Sequence, residues 1–352
     1  LKKSLYGTRD AAANFQDEVA KFMARSGFSR SRYNPCLYYH AGRQIRCLIH
    51  GDDCMLVAGR HSAMWFRGEL EKRFTIKSQL VGSGSTDLPE ARLLGRVIRL
   101  TAHGWEMEAD QRHAERILLE LGLESANSVA TPCELSRGAE ESEELLRGAE
   151  VTRYRALAAR VNYLAQDRPD IMFAAKEVCR GMSAPTTRHF KALRRLGRHL
   201  AGAPRPVSRF DWQELNSIVD GFTGSDWGGC PHSGRSTSGG VLLHGMLCIR
   251  SWSVTQATVA LSSAEAELTA LVRTSCEAIG LCQPASEFGL DVKGRVFADA
   301  SAALGVVQCD GTRCMACGAF RGSAPLVLSL MMSARGVTRG SPRPRCKASK
   351  MA

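Results

Sequence analysis

Apolar residues recur at helical spacing after Asp10, at Phe15, Val19, Phe22 and Met23, and Gly27 follows them. That pattern predicts an opening helix with a glycine stop. Two apolar runs, 45–49 and 55–58, flank His50-Gly51-Asp52-Asp53, which predicts a hairpin with both carboxylates lifted to its tip. A second helix is expected over 62–74, with Trp65, Phe66 and Leu70 inward. A second hairpin is expected over 93–100 and 105–109, turning at His103-Gly104. Asp110 then caps a helix that runs to Leu121 and stops at Gly122.

Residues 134–150 are rich in Glu and read as a linker; the Arg-Gly-Ala-Glu tetrads at Arg137 and Arg147 are too short to be a structural repeat. A helical block follows. Thr152 is expected to cap a helix carrying Leu157, Val161 and Leu164, and Asp170 to cap a second. A third, over 186–200, sets Leu193, Leu196 and Leu200 against a face of Arg188, Lys191, Arg194, Arg195 and Arg198. That basic face suits a solvated surface and a nucleic acid equally well. From about Arg209 the pattern turns to strands at 217–222, 239–243 and 247–252. A helix over 262–280, a strand over 295–298 and a helix over 300–307 complete an α/β layer. Beyond Gln308 no periodicity is sustained, and no element is expected.

Composition narrows the class. Hydrophobic residues at 44% and charged residues at 23% exclude a fibrous or disordered chain. The net charge of +12 points to a polyanionic partner, nucleic acid first. It is unevenly spread: from Asp310 onward eight Lys or Arg face one acidic residue, a net of +7, which leaves +5 for the first 309 residues. Thirteen cysteines, an odd number scattered along the chain, read as reduced thiols rather than a secreted disulfide framework. No apolar leader opens the sequence, and no apolar run approaches the roughly 18–20 residues of a membrane span. The expected location is therefore intracellular, in cytoplasm or nucleus, with no membrane partner. Cys314 and Cys317, with Cys309 upstream, lack a second ligand pair and predict no zinc site. Gly82-x-Gly84 leads from no clear strand into a helix and is no phosphate loop.

The ordered motifs are more specific. Leu1-Lys2-Lys3-Ser4-Leu5-Tyr6-Gly7, Asn14-Phe15, Gly27-Phe28, Asn34-Pro35-Cys36-Leu37-Tyr38 and Asp52-Asp53 are followed by Leu94-Gly95 and Thr131-Pro132. Next come Tyr154-Arg155-Ala156-Leu157, Asn162-Tyr163-Leu164 and Arg168-Pro169-Asp170. In this order they resemble the reverse transcriptase of copia-type LTR retrotransposons. Gly224-Ser225-Asp226-Trp227, Arg235-Ser236-Thr237-Ser238-Gly239, Ser251-Trp252-Ser253, Ser262 to Leu268 and Phe297-Ala298-Asp299-Ala300-Ser301 resemble the ribonuclease H domain of the same polyproteins.

The resemblance implies an α+β chain. A partial reverse transcriptase palm and thumb (1–133) would precede a linker and helical connection (134–205), an incomplete ribonuclease H-like α/β domain (206–308) and an unmatched basic tail (309–352), disordered or frameshifted. It implies two-metal phosphoryl transfer on RNA–DNA hybrids, with Mg²⁺ or Mn²⁺ as cofactor and dNTPs as substrates. Asp52, Asp53, Glu267 and Asp299 would hold metal, Asp226 would join the catalytic set, and Glu265 would face solvent. Lys2, Lys3, Arg194, Arg195 and Arg198 would meet nucleic acid.

Departures from the pattern qualify these roles. The family's Tyr-x-Asp-Asp turn begins here with His50, and its first metal-binding Asp precedes the Leu1–Gly7 block. Where the family writes Ser-Asp-Ala-Asp-Trp, the earlier Asp is replaced by Gly224. Asp226 lies two residues on, about 6–7 Å along a strand, against a metal spacing of about 3.5–4 Å. It can stand in only where the strand end is irregular. The expectation is a chain with no polymerase activity of its own and an incomplete ribonuclease H site.

Overall fold

The computed structural model describes residues 8–134 and 144–308 and the backbone of a strand at 326–330. The opening helix α1 (Ala11–Arg25) forms as predicted, and Gly27 follows at φ +85°. It lies against an antiparallel sheet of β1 (Ser29–Arg30), β2 (Leu37–His40), β3 (Ile45–His50) and β4 (Asp53–Val57), in that order. Helix α2 (Arg60–Glu71) closes the same core, where Val19, Phe22, Met23, Phe28, Ile45, Cys47 and Phe66 are buried together. The Phe28 and Phe66 rings, 4.7 Å apart, add aromatic contact to this burial.

The second hairpin gains a strand: β5 (Glu90–Leu93) precedes β6 (Arg96–Thr101) and β7 (Gly104–Glu108). Asp110 caps α3 (Gln111–Leu121), accepting the Arg112 N–H, and Gly122 ends it at φ +65°. The sheet is then completed from far along the chain. Strand β8 (Val207–Asp211) pairs antiparallel with β7, Val207 opposite Glu108. The sequence pattern places the strand texture beginning near Arg209 in the ribonuclease H-like part. The structure joins it to the sheet of residues 90–108, because Arg205 and Arg99 converge on the buried Glu108 carboxylate.

Helices α4 (Ala149–Leu164), α5 (Met172–Arg180) and α6 (Thr187–Gly202) share one apolar core with α3. Two expected caps are corrected. Gly148, at φ +55°, starts α4 a turn early, so Thr152 lies inside the helix. Asp170 spends its carboxylate on Arg168 and His199 rather than on the N-terminus of α5. Thr186 does cap α6, in a reciprocal box with His189.

The last layer has β9 (Ile218–Ser225), β10 (Thr237–His244) and β11 (Leu247–Thr255) antiparallel, then α7 (Ser263–Glu287), β12 (Lys293–Ala298) parallel to β9, and α8 (Ser301–Gln308). Helix α7 passes the expected stop at Gly280 and includes Pro284 in its final turn. Leu271 and Ala278 pack on Val219, Leu242 and Val296. A further strand, β13 (Leu326–Leu330), pairs parallel with β12 and gives the order β11-β10-β9-β12-β13. This corrects the expectation of no structure after Gln308: Leu326-Val327-Leu328-Ser329-Leu330 is an apolar run long enough to add a strand. The zinc-spaced Cys309, Cys314 and Cys317 and the rest of the tail lie outside the described residues. The chain is α+β, and among the described residues no helix is long and apolar enough to cross a membrane.

Candidate functional site

The β3–β4 hairpin closes through Gly51 (φ +62°) and Asp52, with His50 paired to Asp53. Glycine at the first turn position supplies the left-handed backbone that the two-residue turn demands. Asp52 and Asp53 are both exposed at the tip. Strand β4 is the edge of its sheet as described, and Val57 on it is 60% exposed. Lys2 and Lys3 lie outside the described residues.

The second constellation sits at the end of β9. On one face of the sheet, β9 and β12 build a ladder of facing pairs. Arg295 donates two hydrogen bonds to Asp220, at 2.7 and 3.0 Å. The Phe222 and Phe297 rings stack 5.0 Å apart. The paired register ends at Phe297 opposite Phe222; Asp299 follows one residue beyond the end of β12 and is exposed. Gly224, two residues past Phe222 on β9, offers no side chain to this face. A Cβ built at Gly224 meets nothing within 4 Å.

Glu267 reaches the same strand end from α7. Its Oε1 accepts the Ser225 N–H at 3.0 Å, while its Oε2 is buried without a partner, as are Thr223 Oγ1 and Ser225 Oγ. Glu265, one turn from the N-terminus of α7, is exposed and bonds the Leu261 N–H instead. An open groove of about 560 Å³ beside this strand end is lined by Phe173, Phe222, Gly224, Asp226 and Val241 among others.

Asp226 is engaged elsewhere. Its backbone N–H donates to Thr237 O at 3.1 Å, and its Oδ1 accepts the Thr237 N–H. Its Oδ2 lies over Gly229, where it leaves no room for a side chain. The carboxylate thus ties the ends of the 226–237 loop together.

Among the described residues no three His, Cys, Asp or Glu side chains are grouped to hold a metal ion. The unpartnered Glu267 oxygen and the open space at Gly224 have the character of a cation site, but the donor set does not close around it. Among the described residues, no third carboxylate stands with the two adjacent ones at the hairpin tip. Neither site fits a resident pair of divalent ions.

The basic face of α6 is also largely committed. Arg195 bonds Thr131 Oγ1 and pairs with Glu134 at 2.6 Å, and Arg198 donates to Asn127 O. Both clamp residues 127–134 to α6, whereas Arg194 is exposed. The Asp220–Arg295 bridge and the loop-closing role of Asp226 were missed in the sequence. The one signal for the bridge was opposite charges on two predicted strands, whose parallel register the sequence does not fix.

No family model matches the chain. It is 27% identical over 298 residues to the retrovirus-related Pol polyprotein from transposon RE2 of Arabidopsis thaliana, a match covering 83% of this chain and 20% of that protein. It is also 27% identical over 318 residues to the retrovirus-related Pol polyprotein from transposon TNT 1-94 of Nicotiana tabacum, covering 86% and 23%. The chain thus spans about a fifth of the length of these curated relatives. Among solved structures, a foamy viral protease-reverse transcriptase in complex with double-stranded DNA matches 93% of this chain and 50% of its own, with a TM-score of 0.50 at 10% identity. The likeness is one of fold.

Proposed function

From its similarity to the retrovirus-related Pol polyproteins of transposons we propose that the chain carries the palm–thumb part of a copia-type reverse transcriptase joined to a ribonuclease H-like domain, with neither catalytic carboxylate set closed among the described residues. The division near residues 133 and 205 is part of this proposal, with β8 added to the earlier unit. The substrate class is the RNA–DNA hybrid, and the intact reaction is two-metal phosphoryl transfer, with dNTPs entering the polymerase site. Asp52 and Asp53, and separately Glu267 and Asp299, are the carboxylates retained for Mg²⁺ or Mn²⁺. By itself the chain performs neither reaction. It holds duplex or hybrid through phosphate contacts, with Arg194 the α6 side chain most available for them.

The observation that carries this reading is the end of β9, where Glu267 keeps a buried oxygen without a partner and Gly224 leaves open space in place of a side chain. Glu267, held by the Ser225 N–H, reaches this strand end beside the open position at Gly224, and Asp299, just past β12, is assigned here as its partner. Calorimetric titration with Mn²⁺ tests it. Unmodified chain is expected to give no saturable heat at millimolar metal. The Gly224→Asp variant, whose added Cβ meets nothing within 4 Å, should bind at least about tenfold more tightly, a gain of about 1.4 kcal/mol. Equal affinity in the two proteins contradicts the assignment of Gly224 to the missing carboxylate.

A further inference from the structure

The β3–β4 hairpin carries a thiol pair beside its carboxylates. The register opposes Cys47 to Leu56 and Ile49 to Cys54, so Cys47 and Cys54 lie diagonally across the ladder on the same sheet face. Their sulfurs are 3.3 Å apart, and both are free. Cys47 is buried at 2% exposure within the α1–α2 core, whereas Cys54 is exposed and adjoins Asp53. Residue 54 is thus the solvent-side member of the pair, and the Cys47 thiol is sheltered directly behind it.

We propose that Cys47 and Cys54 are a redox modification site that closes into a reversible disulfide across the hairpin, just below the Asp52-Asp53 turn. The co-reactant is a small disulfide such as oxidised glutathione. The Cys54 thiolate attacks one sulfur of that disulfide; a Cys54–glutathione bond forms and one glutathione thiolate leaves. Cys47 attacks the Cys54 sulfur, its proton passing to the departing second glutathione, which leaves as the thiol. Two protein thiols are oxidised to one disulfide, and oxidised glutathione is reduced to two thiols. The sulfurs close from 3.3 Å to a bond of about 2.05 Å. The bond encloses the whole turn, including Gly51 at φ +62°, and so restricts the segment that presents Asp52.

The test is a peptide map of the full chain, reduced, exposed to oxidised glutathione, alkylated and digested without reductant. The expected result is a Cys47–Cys54 cross-linked species lighter by about 2 Da than the dithiol, reverting on treatment with dithiothreitol. In Cys54→Ser, a change at an exposed position checked for folding by circular dichroism, Cys47 should carry no glutathione. A lasting glutathione adduct on Cys54 with Cys47 still alkylatable overturns the proposal. So does modification of the exposed Cys248 and Cys276 while the hairpin pair stays reduced.

Discussion

Glu108 shows how one carboxylate can organise distant segments. It ends β7, is 1% exposed, and accepts from Arg99, Gln111 and Arg205 at 2.6 to 3.1 Å. Burial pushes its carboxyl up, but the hydrogen bonds from Arg205, Arg99 and Gln111 outweigh it and lower the pKa from 4.5 to about 2. A carboxylate with a depressed folded pKa stabilises the fold above its unfolded value, and that stability is lost as pH falls from about 4.5 toward 2. Glu108→Gln is therefore expected to cost about 2 kcal/mol at pH 7, with the difference from the parent shrinking as pH falls below 4.5 in urea denaturation. Asp226 supports a second prediction at this scale. Asp226→Asn keeps the oxygen that accepts Thr237 N–H and should change stability by less than about 0.5 kcal/mol, whereas Asp226→Ala should cost about 1–2 kcal/mol. Denaturant midpoints separate a loop tie from a metal ligand, because Asn and Ala would then affect metal binding alike and stability little.

At the scale of elements, the turn between α4 and α5 rests on Arg168. Its guanidinium is 1% exposed and bidentate on Asp170, which also meets His199 of α6. Burial pushes the Asp170 carboxyl up, yet Arg168 and His199 hold it below its ordinary value. Arg168→Met removes two hydrogen bonds from a part-exposed carboxylate and should cost about 1–3 kcal/mol, while Arg168→Met with Asp170→Leu should recover most of that loss; chemical denaturation of the three proteins decides. Helices and hairpins with local signals were legible in the sequence: α1 before Gly27, α3 between Asp110 and Gly122, and the β3–β4 turn at Gly51. What was not legible depended on distant pairing. Strand β8 finds β7 almost a hundred residues earlier in the chain, and β13 is anchored by β12 across an intervening segment. Asp170 carried a cap-like sequence signal, but a buried arginine two residues away outcompeted the helix N-terminus for it. At the candidate site, Glu267 and Asp299 were named from motif order alone. The structure adds that Glu267 bonds Ser225 and keeps one buried oxygen without a partner. The commitment of Arg195 and Arg198 to residues 127–134 appears only once α6 is packed.

Across the whole molecule, the end of α7 docks on the first sheet. Glu287 accepts the Arg32 N–H at 3.1 Å, Arg46 donates to Phe288 O at 2.9 Å, and the Tyr39 and Phe288 rings lie 5.8 Å apart. These contacts connect the layer bearing Glu267 to the one bearing Asp52. The pair of substitutions Glu287→Ala and Phe288→Ala should loosen that junction, raising the radius of gyration in small-angle scattering while the far-ultraviolet circular dichroism stays unchanged. The central claim is the proposal that a chain similar to transposon Pol polyproteins holds nucleic acid and closes neither catalytic carboxylate set among its described residues. It is tested most directly by incubating the full chain with an end-labelled RNA–DNA hybrid and Mg²⁺ or Mn²⁺, over a range of salt. The predicted result is binding that weakens steeply with salt and an RNA strand that stays intact; metal-dependent cleavage of the RNA strand by the unmodified chain, abolished by Glu267→Gln, would contradict it.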